Sequence, residues 1–227
     1  MTARTIIVTG AFGYLGSAVA DHFEALGDKV GRIDYAPTPE GSPAYHIGGV
    51  DLSDAEAAKA ALAQVTQALG APSVLVNIAG GFVWETLDDG GPDTWERMFR
   101  MNALTAVTMC KTCIPNLISQ PGAAIINIGA AAAAKADAGM GAYAASKAAV
   151  ARLTESLAAE LAGEDINVNA VLPTIIDTPT NRADMPDADT SGWVRAADIA
   201  SVIAFLASDA ARSITGESIR VSRGRGD

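Results

Sequence analysis

Two groups of residues in this sequence are spaced for chemistry. In Tyr143-Ala144-Ala145-Ser146-Lys147 a phenol and an ammonium stand four residues apart, which puts them on one face of a helix. A neighbouring cation favours phenolate and draws a phenol down from its ordinary pKa of about 10. A tyrosine tuned in that way can exchange a proton with a substrate near neutral pH. Taken alone, such a pair is also a common surface coincidence. The second group is Thr9-Gly10-Ala11-Phe12-Gly13-Tyr14-Leu15-Gly16. Its glycines let backbone N–H groups approach a pyrophosphate, and the positive end of a following helix would stabilise that anion. A tight strand-to-helix turn would also use glycines; the position directly after an apolar N-terminal run is what points to a dinucleotide. Gly10, Phe12, Gly13, Tyr14, Leu15 and Gly16 are the expected contacts. Asp34, where the second strand should end, would accept hydrogen bonds from the adenosine ribose and repel a 2′-phosphate. That favours NAD (NADH) as cofactor, with NADP possible because Lys29 and Arg32 stand close by in sequence.

Positioning these groups needs a frame, and the pattern supplies one. Strand-like and helix-like segments alternate along the chain, as in a Rossmann-type, doubly wound α/β fold with a parallel sheet of about seven strands and helices on both faces. Strands are expected at 5–8, 29–34, 46–50, 73–77, 123–128, 166–171 and 218–222. The first of these is almost wholly apolar, as a strand buried on both sides should be. Helices are expected at 14–26 (closed by Gly27), 55–69 (capped near Ser53-Asp54), 95–118, 142–161 and 196–206. The chain reads as a single domain over 1–227. Its longest irregular stretch, 174–193, has the length of a functional lid rather than of a filler loop.

Bulk properties narrow the function. The 227 residues are 49% hydrophobic but only 5% aromatic, so small aliphatic side chains must fill the core. A net charge of −10 without a basic stripe repels phosphate backbones, which argues against a nucleic-acid partner. No apolar run reaches the roughly 20 residues of a membrane helix, so no membrane partner is expected. The N-terminal residues run straight into a strand-like segment without a leader, so a cytoplasmic location is expected. Cys110 and Cys113 form a CxxC that falls inside a helix, away from an activating N-terminus, and no further Cys or His pair completes a metal site. Two packed thiols and no metal is the expectation.

The whole chain resembles the short-chain dehydrogenase/reductase family. The resemblance rests on the glycine turn, Asp51-Leu52, Asn77-Ile78-Ala79-Gly80, Asn102, the Tyr143/Lys147 pair, Val168-Asn169-Ala170-Val171-Leu172-Pro173, Asp198-Ile199-Ala200 and Phe205-Leu206-Ala207-Ser208. It implies that Tyr143 is the acid/base, that Lys147 tunes it and binds the nicotinamide ribose, and that Asn102 holds a water linking Lys147 to solvent. It further implies that Asp51 and Leu52 flank the adenine and that Asn77, Ala79 and Gly80 line the adenosine side. Pro173, Ile176 and Thr178 would meet the nicotinamide and its phosphate, and Ile128 is a further expected cofactor contact.

Three features depart from the family pattern. The glycine spacing TGxxGxxG is commoner in the family's extended members, Ile78 replaces a second asparagine, and the catalytic serine's position, thirteen residues before the tyrosine, holds Ala130. Losing that donor to a developing oxyanion can cost about 3 kcal/mol. An intrinsically electrophilic substrate, a stand-in water or loss of catalysis would each account for it. The run from Asp177 through Trp193 is similar to the lid of the quinoid dihydropteridine reductase branch, which also lacks the serine, has Ala-Gly-Gly as in Ala79-Gly80-Gly81, and uses NADH. A quinonoid ring is already electron-poor and needs less help from an oxyanion donor.

The expectation is therefore an NAD(P)H-dependent reductase of an activated ring or carbonyl, with a quinonoid dihydropterin as the specific candidate. Gly81, Phe82, Trp84, Ala130, Asn181, Arg182 and Met185 would lie on the substrate side. Phe82 and Trp84 could stack on a flat ring or simply pack, and Arg182 could meet substrate or pair with Asp184 or Asp187. A generic ketoreductase acting on 3-oxoacyl thioesters is the alternative, followed by a dinucleotide-binding sensor without turnover. Small residues Ala103, Ala106, Ala148, Ala149 and Ala151 would let helices approach closely, pointing to a homodimer or homotetramer unless they pack on the protein's own sheet.

Overall fold

The computed structural model describes residues 3–223. In chain order it holds β1 (Thr5–Thr9), α1 (Tyr14–Ala25), β2 (Lys29–Ile33), β3 (His46–Ile47), α2 (Ala55–Leu69), β4 (Val74–Asn77), α3 (Pro92–Phe99), α4 (Thr105–Leu117), β5 (Ala123–Ile128), α5 (Gly141–Glu160), β6 (Ile166–Pro173), β7 (Ile176–Asp177), α6 (Pro179–Asp184), β8 (Val194–Arg195), α7 (Ala196–Leu206) and β9 (Ser218–Val221). Seven strands form one parallel sheet in the order β3-β2-β1-β4-β5-β6-β9. The strand order reverses between β1 and β4, which opens a crevice at their C-terminal ends where such sheets bind ligands.

Two apolar layers hold the sheet. On one face Ile6, Val8, Val76, Ile126 and Val171 pack against Val19 and Phe23 of α1 and Ile199 and Ile203 of α7. On the other, Ile7, Leu75, Ile125 and Val168 meet Leu62 and Val65 of α2, Met109, Cys110 and Cys113 of α4, and Leu157 of α5. Strands covered on both sides are apolar at nearly every position, which is why β1, β4 and β5 read as mostly hydrophobic runs broken only by hydrogen-bonded Thr and Asn. Turn chemistry follows expectation at two helix ends. Asp54 Oδ1 accepts from the N–H groups of Glu56 and Ala57, and Gly27 beyond α1 has φ of +89°.

Three expectations need correction. The helix expected over 95–118 begins a turn earlier, with Pro92 in its first turn, and is interrupted at Arg100–Leu104 by a π-helical turn. Periodicity cannot register the single residue such a turn inserts. The third strand stops at Ile47 because the chain turns at Gly48-Gly49. The stretch 174–193 is not irregular: it contains β7, α6 and a 3-10 turn at Thr190–Gly192, and β7 pairs in parallel with β8. Both cysteines are buried free thiols, and burial raises the Cys110 thiol to about 12, so the pair is inert packing. Among the described residues no helix is long and apolar enough to cross a membrane, and no cluster of His, Cys, Asp or Glu could hold a metal ion.

Candidate active site

The glycine turn is fixed by backbone contact. Gly10 takes φ of +63°, and a Cβ there would lie 2.8 Å from the Ala79 nitrogen. A Cβ on Gly16 would collide with the Gly10 carbonyl, so α1 can start this close to β1 only with glycine. Thr9 Oγ1 ties the turn to the next loop by accepting from the N–H groups of Ile78 (3.0 Å) and Ala79 (3.2 Å). No side chain caps α1 and no acidic residue stands in its first turn, so its amide end stays available to an anion. Phe12, Gly13, Tyr14 and Ser17 line a groove of about 730 Å³ whose far wall is Asp177 and Arg195. Leu15 turns its side chain into the core beneath them. This cradle, which a side chain would fill, fits a dinucleotide pyrophosphate.

Asp34 lies at the edge of that cradle. Its carboxylate accepts from the Phe12 N–H (2.7 Å) and the Ala36 N–H (2.9 Å). Arg32 points elsewhere, paired with Asp21 (2.5 Å) and Glu24 (2.9 Å) of α1, and Lys29 begins β2 at the opposite edge of the sheet. Neither cation is therefore free beside Asp34. Asp51 accepts from Ser53 N–H and Oγ and pairs with Arg100 at 3.3 Å, and these contacts hold its carboxyl below the usual range. The Leu52 side chain is in the core, which leaves only its backbone to meet a ligand. Asn77 also turns inward: its Nδ2 donates to Asn127 Oδ1 (2.9 Å), and Asn127 donates to Thr154 Oγ1 (2.9 Å), a buried chain tying β4, β5 and α5 together.

At the reacting end, α5 carries Tyr143 and Lys147 against the loop after β4. Lys147 Nζ donates to the Ile128 carbonyl at 2.8 Å, and a Cβ on Gly80 would lie 3.4 Å from the same nitrogen. Burial lowers Lys147 to about 8 and raises Tyr143 to about 12. The expected acidification of the phenol by the ammonium is thus overturned in the protein alone. Desolvation dominates at Tyr143, and the ammonium is turned toward the Ile128 carbonyl. Asn102, in the π-helical turn, brackets Gly81: its Oδ1 accepts from the Gly81 N–H (2.9 Å) and its Nδ2 donates to the Gly81 carbonyl (3.0 Å). The same Nδ2 donates to Ser146 Oγ (3.0 Å), which donates to the Tyr143 carbonyl (2.7 Å). With both Nδ2 hydrogens committed, the water expected at Asn102 would have to bond elsewhere on that residue. Ser146 and Thr9 were given no role from sequence; their signals were adjacency to Lys147 and to Gly10.

The substrate-side residues divide. The Phe82 ring meets the Tyr143 ring edge to face at 4.9 Å while remaining 53% exposed, so it stands over the phenol and still has a free face. Trp84 packs on Gly139 ahead of α5 instead. Ala130 is buried just past β5, and no neighbour from Gly129 to Ala134 offers a side-chain donor. Pro173 ends β6 in register with Val221. Thr178 caps α6 by accepting from the Asn181 N–H (3.0 Å), and Asn181 Nδ2 donates to the Ile176 carbonyl (2.7 Å). Arg182 pairs with Asp177 (2.6 and 2.9 Å), not with Asp184 or Asp187, because the α6 turn brings it back over β7. Met185 is half-buried at the end of that helix.

The profile of the short chain dehydrogenase family matches residues 4–189. The chain belongs to the short-chain dehydrogenase family. This dehydrogenase/reductase is accordingly an oxidoreductase whose fold binds a nicotinamide dinucleotide. It is 31% identical to the 2-(R)-hydroxypropyl-CoM dehydrogenase of Xanthobacter autotrophicus, over 96% of each chain. It is also 31% identical to the 3-oxoacyl-[acyl-carrier-protein] reductase of Pseudomonas aeruginosa, over 99% of this chain and 98% of that one. Among solved structures, the ligand-free aldohexose dehydrogenase of Thermoplasma acidophilum superposes with a TM-score of 0.86 at 30% identity, covering 96% of this chain and 92% of that one. A blue fluorescent protein from a metagenomic library, in complex with NADPH, superposes with a TM-score of 0.82 at 30% identity over 96% of both chains.

Proposed function

We propose that this short-chain dehydrogenase is an NADH-using reductase of an activated ring or carbonyl, with Tyr143 as proton donor and Lys147 as the charge beside the cofactor. The observation that carries it is the convergence of Tyr143, Lys147, Asn102 and Gly80 on the crevice end of the sheet, with Phe82 against the phenol. A bound dinucleotide would supply the hydride. The cradle of Gly10, Gly13 and Gly16 with the α1 terminus would hold its pyrophosphate, and Asp34 its adenosine ribose. Burial keeps Tyr143 protonated throughout the neutral range, so it is poised as an acid. A phenol near 12 still protonates an alkoxide readily, since water-like hydroxyls lie at about 15.7. The substrate gains one hydride and one proton, the latter from the Tyr143 oxygen.

Asp34 with no free cation beside it supports NADH over NADPH. Ala130, the lid-like run 174–193 and the exposed face of Phe82 support a flat, electron-poor substrate such as a quinonoid dihydropterin. The second reading, a ketoreductase, draws on the 31% identity to a 3-oxoacyl reductase. The net charge of −10 would oppose docking of an acidic carrier protein. A homodimer or homotetramer belongs to either reading. Ala103, Ala106 and Ala151 are already buried in the protein's own packing, so the exposed Phe99, Met101 and Val107 would form the contact instead. Light scattering showing a monomer would refute that assembly.

The test offers purified protein NADH or NADPH with a quinonoid dihydropterin, a simple quinone and a 3-oxoacyl thioester. Fast NADH oxidation with the pterin or quinone is expected, lost by about a thousandfold in Tyr143→Phe. Turnover of the thioester alone would favour the ketoreductase. Dinucleotide binding without turnover on any of them would mean a sensor.

A further inference from the structure

The groove in front of the glycine turn has a far wall with a charge of its own. β7 and β8 pair in parallel, Ile176 opposite Val194 and Asp177 opposite Arg195. Ile176 and Val194 pack into the apolar layer shared with α1 and α7, so alternation turns Asp177 and Arg195 away from the core. Both accordingly line the groove, together with Phe12, Gly13 and Tyr14 of the glycine turn.

A pyrophosphate is a dianion, and in a protein of net charge −10 it gains from a local cation. The charged residues lining the groove are Asp21, Asp177 and Arg195, so Arg195 is the one cation among the described residues there. Both acids are already neutralised: Asp21 pairs with Arg32 at 2.5 Å and Asp177 with Arg182 at 2.6 Å. Arg195 is held by Asp198 of α7, through Nε at 2.9 Å and Nη2 at 2.6 Å, leaving Nη1 without a partner among the described residues. A guanidinium gripped along one edge by a carboxylate can still offer its remaining N–H groups to a phosphate. The side chain is 62% exposed, and the small Ser17, Ala18, Ala196 and Ala197 beside it leave room for it to meet an anion at the start of α1.

We infer that Arg195 is a cofactor-binding residue, its guanidinium bridging Asp198 and the dinucleotide pyrophosphate from the wall opposite the glycine turn. This rests on the pyrophosphate cradle proposed above, and it holds for a reductase and for a sensor alike. The closing experiment titrates NADH and NADPH by fluorescence, and ADP-ribose and adenosine by competition, against wild type, Arg195→Gln, Arg195→Lys, Asp198→Asn and Gly16→Ala. Thermal midpoints are measured without ligand. Arg195→Gln should weaken NADH, NADPH and ADP-ribose alike by about tenfold, and adenosine, which has no phosphate, by less than about twofold. Arg195→Lys should keep part of that affinity, and Asp198→Asn, which releases the guanidinium, should hold or tighten NADH binding. Unchanged NADH affinity in Arg195→Gln while Gly16→Ala loses it would overturn this inference alone. So would an equal loss for adenosine. Matching losses of affinity and midpoint in Arg195→Gln and Asp198→Asn would also overturn it, since they mark a purely structural ion pair. Wild-type protein that binds neither dinucleotide would overturn the cradle and this inference together.

Discussion

The two ends of the crevice are built on different principles. At the cofactor end the contacts are made by backbone: positive-φ Gly10 against Ala79, Gly16 against Gly10, and Thr9 and Asp34 tying the loops together through N–H groups. At the substrate end they are made by side chains, several of them half-exposed, such as Phe82, Trp84 and Met185, above a polypeptide that bonds mostly to itself through Thr178–Asn181 and Asp177–Arg182. A backbone cradle tolerates almost no substitution, whereas a wall of side chains changes with each one. The same fold can therefore keep one cofactor while its relatives carry names as different as aldohexose dehydrogenase and 3-oxoacyl reductase.

Variants at the two ends should differ in proportion. Gly16→Ala forces a Cβ into the Gly10 carbonyl, and overpacking of this kind costs up to about 3 kcal/mol. NADH affinity should fall about a hundredfold; near-normal affinity in a fluorescence titration would show that the turn can yield. Asp34→Ala removes the carboxylate that orders Phe12 and, on the proposed reading, holds the ribose. NADH affinity should drop about tenfold while NADPH affinity holds or improves, since a charge-assisted hydrogen bond contributes roughly 1.5–3 kcal/mol. Equal losses for both dinucleotides would remove Asp34 from cofactor choice.

Protonation gives a smaller, graded handle. Lys147, lowered to about 8 by burial, should lose its charge above that pH, so kcat/KM should decline about tenfold per pH unit once the ammonium is gone. A flat profile to pH 10 would break the link. Stability should move the other way. Between about pH 8 and 10.4 the unfolded lysine keeps a proton that the folded one has released, so urea midpoints should rise across that window. Above about pH 10 the trend reverses, because folded Tyr143, near 12, holds a proton that the unfolded phenol gives up. The smallest effect belongs to Phe82→Ala, which removes one edge-to-face contact and an exposed aromatic face. KM for a flat substrate should rise about threefold with kcat nearly unchanged. A large fall in kcat would mean that Phe82 holds the phenol in place.

Legibility in the sequence followed the same divide. The central strands β1, β4, β5 and β6 were readable because each is buried along its whole length and is largely apolar, whereas the half-exposed edge strands β3 and β9 were legible only from the alternation of elements around them. The glycine turn and the Tyr143/Lys147 pair were readable because chain spacing alone places them. The π-helical turn at Asn102, the pairing of β7 with β8, and the inward turn of Asn77 were not, since each depends on partners far along the chain: Gly81 and Ser146, Val194, and Asn127.

From residue type and order alone came the doubly wound sheet, the dinucleotide turn and the identity of the phenol and amine, because buried strands, tight turns and helical spacing are local constraints. The protonation states belong to the tertiary structure. Only folding removes water from Tyr143 and Lys147, pushing one to about 12 and the other to about 8, where spacing by itself would have predicted an acidic tyrosine. Desolvation is a property of everything packed around a group, and no short stretch of sequence contains it.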